Sequence, residues 1–255
     1  MFMNHLFLSD AHIGAFDEET NHKIERSLCN VANWCLKKNV QLHILGDLFD
    51  YWMEYKNHVP DLGQKVLGCL ENYNKSGVRP ATYITGNHDN WTRGYFEKLG
   101  FNLKNDYTVL NENGKSIFLH HGDGIQDKSY NLERPLFHKI LRNKTFIFIY
   151  QKLLPPQTGL KVMKKFSSFN RNRGNTNPEP LNKWAVWFLE NHDFDIMICG
   201  HDHVPRILKY PFGTYINLGT FFGTQTACLY TNDGFELVEW NDGKKEFTKF
   251  EKDLQ

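Results

Sequence analysis

The chain has 255 residues, of which 40% are hydrophobic and 15% aromatic, so it can bury a sizeable core and is not a disordered protein. Its formal charge of +1 hides an asymmetry: residues 134–178 hold ten basic residues and no Asp or Glu, and the remainder carries −9, which argues against a nucleic-acid groove. Five scattered cysteines (Cys29, Cys35, Cys69, Cys199, Cys228) with no Cys-x-x-Cys pair point to reduced thiols and away from a disulfide framework.

The elements alternate along the first two-thirds. Leu6-Phe7-Leu8 reads as a strand ending in Ser9-Asp10, and Ile24, Leu28, Val31, Ala32 and Cys35 mark one face of the helix that follows. Leu42 to Leu45 is a strand ending at Gly46-Asp47. Leu62, Val66, Leu67, Leu70 and Tyr73 mark a second amphipathic helix closing near Gly77. Thr82 to Thr85 runs into Gly86-Asn87, and Ser116 to Leu119 runs into His120-His121. The pattern breaks between residues 137 and 175, where apolar residues stand among lysines; this reads as a helical lid inserted into one domain spanning 1–255. Its most apolar window, Thr145 to Leu154, is about half of the ~20 residues a membrane-spanning helix needs. A late helix carries Leu181, Trp184, Ala185 and Phe188, and Ile196 to Cys199 leads into Gly200-His201. Tyr215 to Leu218, Thr226 to Tyr230 and Phe235 to Trp240 are strands, the last two joined by a hairpin turn at Asn232-Asp233-Gly234. The first ten residues lack a basic region, a long apolar stretch and a cleavage site, so no export signal is expected.

Five polar clusters, each closing an apolar run, carry the chemistry. Asp10-x-His12 offers a carboxylate and an imidazole, read as sharing one side of an extended strand end, and His201-Asp202-His203 repeats the spacing with two imidazoles. Asp47 has two oxygens and could bridge two ions, while Asn87 contributes an uncharged amide oxygen. His121 is the ligand candidate of its pair, and His120 faces the other way as a structural residue. Asp50, Asp89 and Asp123 are expected to orient ligands from behind. Oxygen and nitrogen donors without thiolate suit manganese, iron or zinc better than magnesium or calcium. Manganese is the expected ion.

In this order, Asp-x-His, Gly-Asp-x-x-Asp, Gly-Asn-His-Asp, His-Gly-Asp and Gly-His-x-His, the motifs resemble those of the calcineurin-like metallophosphoesterases over about residues 1–225. The resemblance implies an α/β (α+β) four-layer αββα sandwich and two divalent metal ions. One ion would take Asp10, His12, Asp47 and His203, the other Asp47, Asn87, His121 and His201. A hydroxide between the ions would attack phosphorus in line. His88 is expected to contact the phosphoryl oxygen or the leaving group, with Asp89 orienting it.

Gly46 to Trp52, Gly86 to Trp91 and His121 to Gly124, followed by the insertion, are similar to the UDP-2,3-diacylglucosamine pyrophosphatase family of lipid A biosynthesis. That similarity implies attack on the α-phosphorus, giving UMP and 2,3-diacylglucosamine 1-phosphate. Phe146 to Tyr150, Leu153, Leu154 and Met163 would line an acyl slot, and Arg171 and Arg173 would meet the diphosphate. Asp127 matches a sugar-contacting carboxylate, although its spacing from His121 is two residues shorter. His88 replaces an arginine of other members, and Asp202 is expected to weaken binding of an anionic substrate. The expected setting is cytoplasmic, with the basic, apolar insertion seated on the inner membrane and no protein partner. The alternatives are a phosphodiesterase or phosphatase acting on soluble nucleotides or other small phosphoesters, and a metal-bound scaffold without turnover.

Overall fold

A computed structural model describes residues 3–171 and 177–251. In chain order the elements are β1 (Asn4–Leu8), α1 (Glu18–Lys38), β2 (Val40–Leu45), α2 (Gln64–Asn74), β3 (Thr82–Ile84), α3 (Tyr95–Lys98), β4 (Asn102–Lys104), β5 (Tyr107–Glu112) and β6 (Lys115–His120). The insertion follows as α4 (Leu136–Leu141), α5 (Lys144–Leu153) and α6 (Pro156–Arg171), then α7 (Glu179–Asn191). The chain ends in β7 (Ile196–Cys199), β8 (Arg206–Tyr210), β9 (Gly213–Asn217), β10 (Thr226–Thr231), β11 (Gly234–Asn241) and β12 (Glu246–Lys249).

Two sheets stack face to face. One has the order β12-β11-β10-β1-β2-β3-β4, the other β5-β6-β7-β9-β8. Side chains of a strand alternate between faces, and β1 shows the consequence. Phe7 joins Leu45, Ile84, Ile117, Leu119, Ile198 and Ile216 between the sheets. Its neighbours Leu6 and Leu8 face outward, under Ile24, Leu28, Val31 and Val66 of α1 and α2. On the far side Phe118, Met197 and Tyr215 pack under Leu181, Trp184, Ala185 and Phe188 of α7. The result is the expected αββα order. α1 starts where Asp17 accepts from Thr20 N at 2.8 Å and ends where Asn39 turns left-handed, with Glu18 and Glu19 at its positive end and Lys37 and Lys38 at its negative one.

The hairpin at 232–234 is present, with Thr231 opposite Gly234. The strands β4, β5, β8 and β12 had no clear signal, because all four are short or half-exposed and lack a continuous apolar face. One expectation fails: Cys29 of α1 and Cys69 of α2 form a disulfide with their Cα atoms 5.4 Å apart. Forty residues separate them in the chain, and only helix packing brings them together. Cys35, Cys199 and Cys228 are free and buried.

The insertion rests on the loops that follow β2 and β3. Phe146, Ile147, Tyr150, Leu160 and Met163 pack against the buried Met53, Tyr55, Trp91 and Leu141. Other apolar residues of the same segment face outward: Leu136 is 74% exposed, Leu153 73% and Phe148 61%. Among the described residues no helix is long and apolar enough to cross a membrane.

Candidate metal centre

Every cluster lies just past the carboxyl end of a strand, as in other α/β sheets. The local geometry is not the extended strand end read from the sequence. β1 stops at Leu8, and Asp10 and His12 have φ of 53° and 45°. Asp47, His201 and His203 share the left-handed region at 52°, 72° and 65°, so five of the seven candidate ligands adopt a conformation that L-residues rarely take. Such backbone costs on the order of 1–3 kcal/mol per residue and persists only where its surroundings dictate it. Here they do: Asp10 N donates to Gly46 O at 3.1 Å, and Ala11 N and His12 N both donate to Asp47 O at 3.0 Å. The tight turns also bring in the glycines. A Cβ on Gly200 would sit 2.3 Å from Asp10 Oδ2, and one on Gly86 would sit 2.1 Å from Asp47 Oδ1.

Three groups of donors result among the described residues, two of them made of the expected ligands and the third of His12, Asp50 and His88. Asp10, His12 and His203 bring three ligand atoms within 4.8 Å of one another, and so do Asp47, His121 and His201. Asp47 Oδ2 lies 3.2 Å from His121 Nε2 and 3.8 Å from His12 Nε2, so its carboxylate stands between the groups. Asn87 Oδ1 is 3.3 Å from His121 Nε2 and therefore joins the second group. All seven candidates are thus brought to one place. The donors fit a pair of cations: Asp10 Oδ1 and both ring nitrogens of His12 are buried without a hydrogen-bond partner. Burial alone would lower the pKa values of His12 and His121, but neighbouring carboxylates outweigh it and raise both to about 10. Those protons balance charge that bound cations would otherwise balance. His201, by contrast, is lowered to about 4 by burial and by His121.

The surrounding residues are partly reassigned. Asp89 does not orient His88: its carboxylate accepts from Leu48 N, Gly86 N and the Tyr83 hydroxyl at 2.6–2.8 Å and so locks the Asp47 loop to the Asn87 loop. His88 is held instead by Asp50, whose carbonyl accepts from Nδ1 at 2.7 Å. Asp50 Oδ1 also lies 3.4 Å from His12 Nδ1, and its other oxygen accepts from the Ser167 hydroxyl at 2.7 Å. Asp202 turns away from the site into a buried pair with Arg206, at 2.9 and 2.6 Å, so its charge is neutralised and does not oppose an anionic substrate. Asn217 supports the same turn by donating to Gly200 O at 2.7 Å. His120 faces the α7 side, 3.2 Å from Gly124 O, as alternation required.

The substrate residues fare unevenly. Asp127 is exposed, accepts from Ser129 N and Oγ, and lines a cleft of about 450 Å³ beside Arg134 and Arg142 rather than the metal centre. The side chain of Arg171 and all of Arg173 lie outside the described residues. The apolar wall next to His88 is formed by Phe137, Leu141, Met163 and Phe166, around a cavity of about 40 Å³. Of the expected acyl-slot residues only Met163 is there; Phe146, Ile147 and Tyr150 anchor the insertion, and Phe148, Ile149 and Leu153 face outward. The helical period separates residues 146, 147 and 150 from residue 148 on the opposite face, whereas Leu153, two turns after Phe146, is exposed because it is the last residue of α5. Ser167, His138 and Arg142, which reach this region from the insertion, stand in no motif and were not anticipated.

The sequence profile of calcineurin-like phosphoesterases matches residues 3–205. A UDP-2,3-diacylglucosamine hydrolase of Porphyromonas gingivalis is 26% identical over 217 residues, covering 78% of this chain and 82% of that one. The protein of the same name from Yersinia pseudotuberculosis is 27% identical, over 92% and 98%. Among solved structures, Yfce, a phosphoesterase from E. coli, superimposes with a TM-score of 0.50 at 15% identity, over 96% of each chain, a likeness of fold.

Proposed function

The chain belongs to the calcineurin-like phosphoesterase family and is a metal-dependent phosphoester hydrolase, and from that premise we propose that it hydrolyses UDP-2,3-diacylglucosamine to UMP and 2,3-diacylglucosamine 1-phosphate. One observation carries the reading: the donor cluster opens beside an apolar cavity walled by Phe137, Met163 and Phe166, which belong to a basic insertion. A polar reacting centre under an apolar wall suits a phosphoester whose other end is a lipid. The relatives that carry the hydrolase name at 26–29% identity support the same substrate.

In this proposal Asp10, His12, Asp47 and His203 hold one ion, and Asp47, Asn87, His121 and His201 the other. Two such ions supply an activated water at neutral pH and neutralise charge on the phosphoryl oxygens. The protein's own groups do the rest. Asp47, pinned by its hydrogen bond from His88 N at 2.9 Å, keeps the two donor groups in register. His88 donates from Nδ1 to Asp50 O, which leaves Nε2 to face the phosphoryl group or the leaving group. Asp50 and Ser167 fix that ring, and the apolar wall stands beside it. The native ions are proposed to be manganese.

The outward-facing Leu136, Phe148 and Leu153, interleaved with Lys139, Lys144 and Lys152, are proposed to seat the protein on the cytoplasmic face of the inner membrane. Each basic residue near an anionic leaflet is worth about 1 kcal/mol. One observation favours a second reading, a phosphodiesterase for small soluble substrates: a cavity of about 40 Å³ does not hold two acyl chains without movement of the insertion. A ³¹P assay of UDP-2,3-diacylglucosamine with Mn²⁺, beside bis-p-nitrophenyl phosphate, separates them. Release of UMP supports the lipid substrate, and turnover of the nitrophenyl ester alone removes it.

A further inference from the structure

Two consecutive residues of the insertion hold both ends of the loop that carries Asn87 and His88. Arg142 caps the end of α4, and its Nη2 lies 2.8 Å from Gly86 O and 3.4 Å from Thr85 O. The same nitrogen is 2.9 Å from Asp123 Oδ2, two residues beyond His121, while Nη1 donates to Asn105 O at 3.1 Å. At the other end of the loop, Trp91 Nε1 donates to Leu141 O at 2.6 Å. Leu141, Trp91 and Asp123 are 7%, 4% and 3% exposed, so the Trp91 bond is shielded from water, the Arg142 bonds to Gly86, Thr85 and Asp123 are partly so, and the bond to Asn105 is exposed.

Bonds within the loop, such as Asn90 Nδ2 to Asn87 O at 2.9 Å, set its shape but not its position against the insertion. A planar guanidinium spreads its donors over a rigid fork that spans acceptors on separate segments, whereas an ammonium gathers its donors at one point on a flexible stem. We propose that Arg142 is a positioning residue that couples the insertion to the two loops bearing Asn87 and His121. The 141–142 corner thus holds the insertion side of both ligand loops, beside the bonds of Asp89 and Leu45 that hold them from within the core. Phe137, His138 and Leu141 of the same helix wall the cavity beside His88, opposite Asn87, His88 and Trp91 of the loop itself. The proposal rests on the assignment of Asn87 and His121 to one ion.

The test is Mn²⁺ titration calorimetry and EPR of the full chain, with kcat and KM on bis-p-nitrophenyl phosphate, for Arg142→Met, Arg142→Lys and Trp91→Phe. Arg142→Met is expected to weaken one of the two ions by about 10–100-fold, to lower kcat by a similar factor and to leave KM near the wild-type value. Arg142→Lys falls between, and Trp91→Phe, which loses the donor and the five-membered ring but keeps an aromatic face toward Phe146 and Tyr150, shifts the same quantities less. A folded Arg142→Met protein with both affinities and the EPR signal of the wild type overturns the coupling. If Arg142→Met does not fold, unchanged metal binding in both other variants overturns it. Wild-type protein that binds fewer than two ions overturns the ligand assignment itself, and the coupling with it.

Discussion

Replacing Gly86 by alanine isolates the demand that the site places on its backbone. The added Cβ would stand 2.1 Å from Asp47 Oδ1 and 2.8 Å from both Asp47 Cγ and Asp47 N. To reach an ordinary contact of 3.4 Å the carboxylate oxygen must retreat by about 1.3 Å. Retreat breaks its hydrogen bond from His88 N, and it moves the carboxylate whose other oxygen lies 3.2 Å from His121 Nε2. Strain from overpacking costs about 1–3 kcal/mol of stability. Misplacing a reacting or ligating group by 1 Å costs roughly 10²-fold in rate. Gly86→Ala is therefore expected to lose about 10²-fold in kcat on bis-p-nitrophenyl phosphate at saturating Mn²⁺, with a weakened ion, while its far-UV spectrum stays native. Gly68→Ala is the control: that glycine sits inside α2 with nothing within 4 Å of the added Cβ. The same chemical change there should stabilise by up to about 1 kcal/mol through helix propensity. A Gly86→Ala protein with wild-type kcat and two tightly bound ions would refute the reasoning.

Other consequences are as direct. His88→Ala should cut turnover while two ions remain bound; loss of metal would show that His88 supports the ligands rather than the phosphoryl group. Asp202→Ala leaves Arg206 buried without its partner and should cost about 3 kcal/mol in chemical denaturation, and removing Arg206 as well, as methionine, should recover part of it. An additive double variant would remove the pair from the argument. Burial lowers His5 to about 4, and His43, whose Nε2 lies 3.0 Å from His5 Nδ1, is lowered well below its ordinary value. The unfolded chain then binds more protons, so their contribution to stability is whole above about pH 6.5 and is lost as pH falls toward 4. Metal-stripped His5→Gln protein should lose less melting temperature than wild type between pH 7.5 and 4.5, values taken to span about the unperturbed histidine pKa; equal slopes would sink that assignment. Leu153→Glu should weaken binding to phosphatidylglycerol vesicles without changing hydrolysis of the soluble ester, and unchanged binding would exclude Leu153 from a membrane contact.

The gathering of the candidate donors was legible in the chain because each follows an apolar run that reads as a buried strand. Strand ends carry their residues to one edge of a sheet whatever the detailed path. The alternation of strands and helices was legible for the same reason, while the four-layer αββα arrangement was implied only by the resemblance of the motifs to a known family. What Asp10 and His12 do locally was not legible. Their left-handed φ comes from hydrogen bonds to Gly46 and Asp47 more than thirty residues away, and no spacing within Asp-x-His encodes it. Asp89 and Asp202 look like neighbours of ligands in the chain, yet each is spent on a partner in another segment or beyond its own turn.

By itself, then, the sequence determined which side chains gather and on which edge, because hydrophobic alternation and strand polarity are local properties. Tertiary structure alone decided the roles of Arg142, Ser167 and Asp89, the face that α5 turns outward, and the pairing of Cys29 with Cys69. Those depend on contacts between segments that meet only after packing, where shape and unsatisfied hydrogen-bonding groups, rather than local pattern, select the partner.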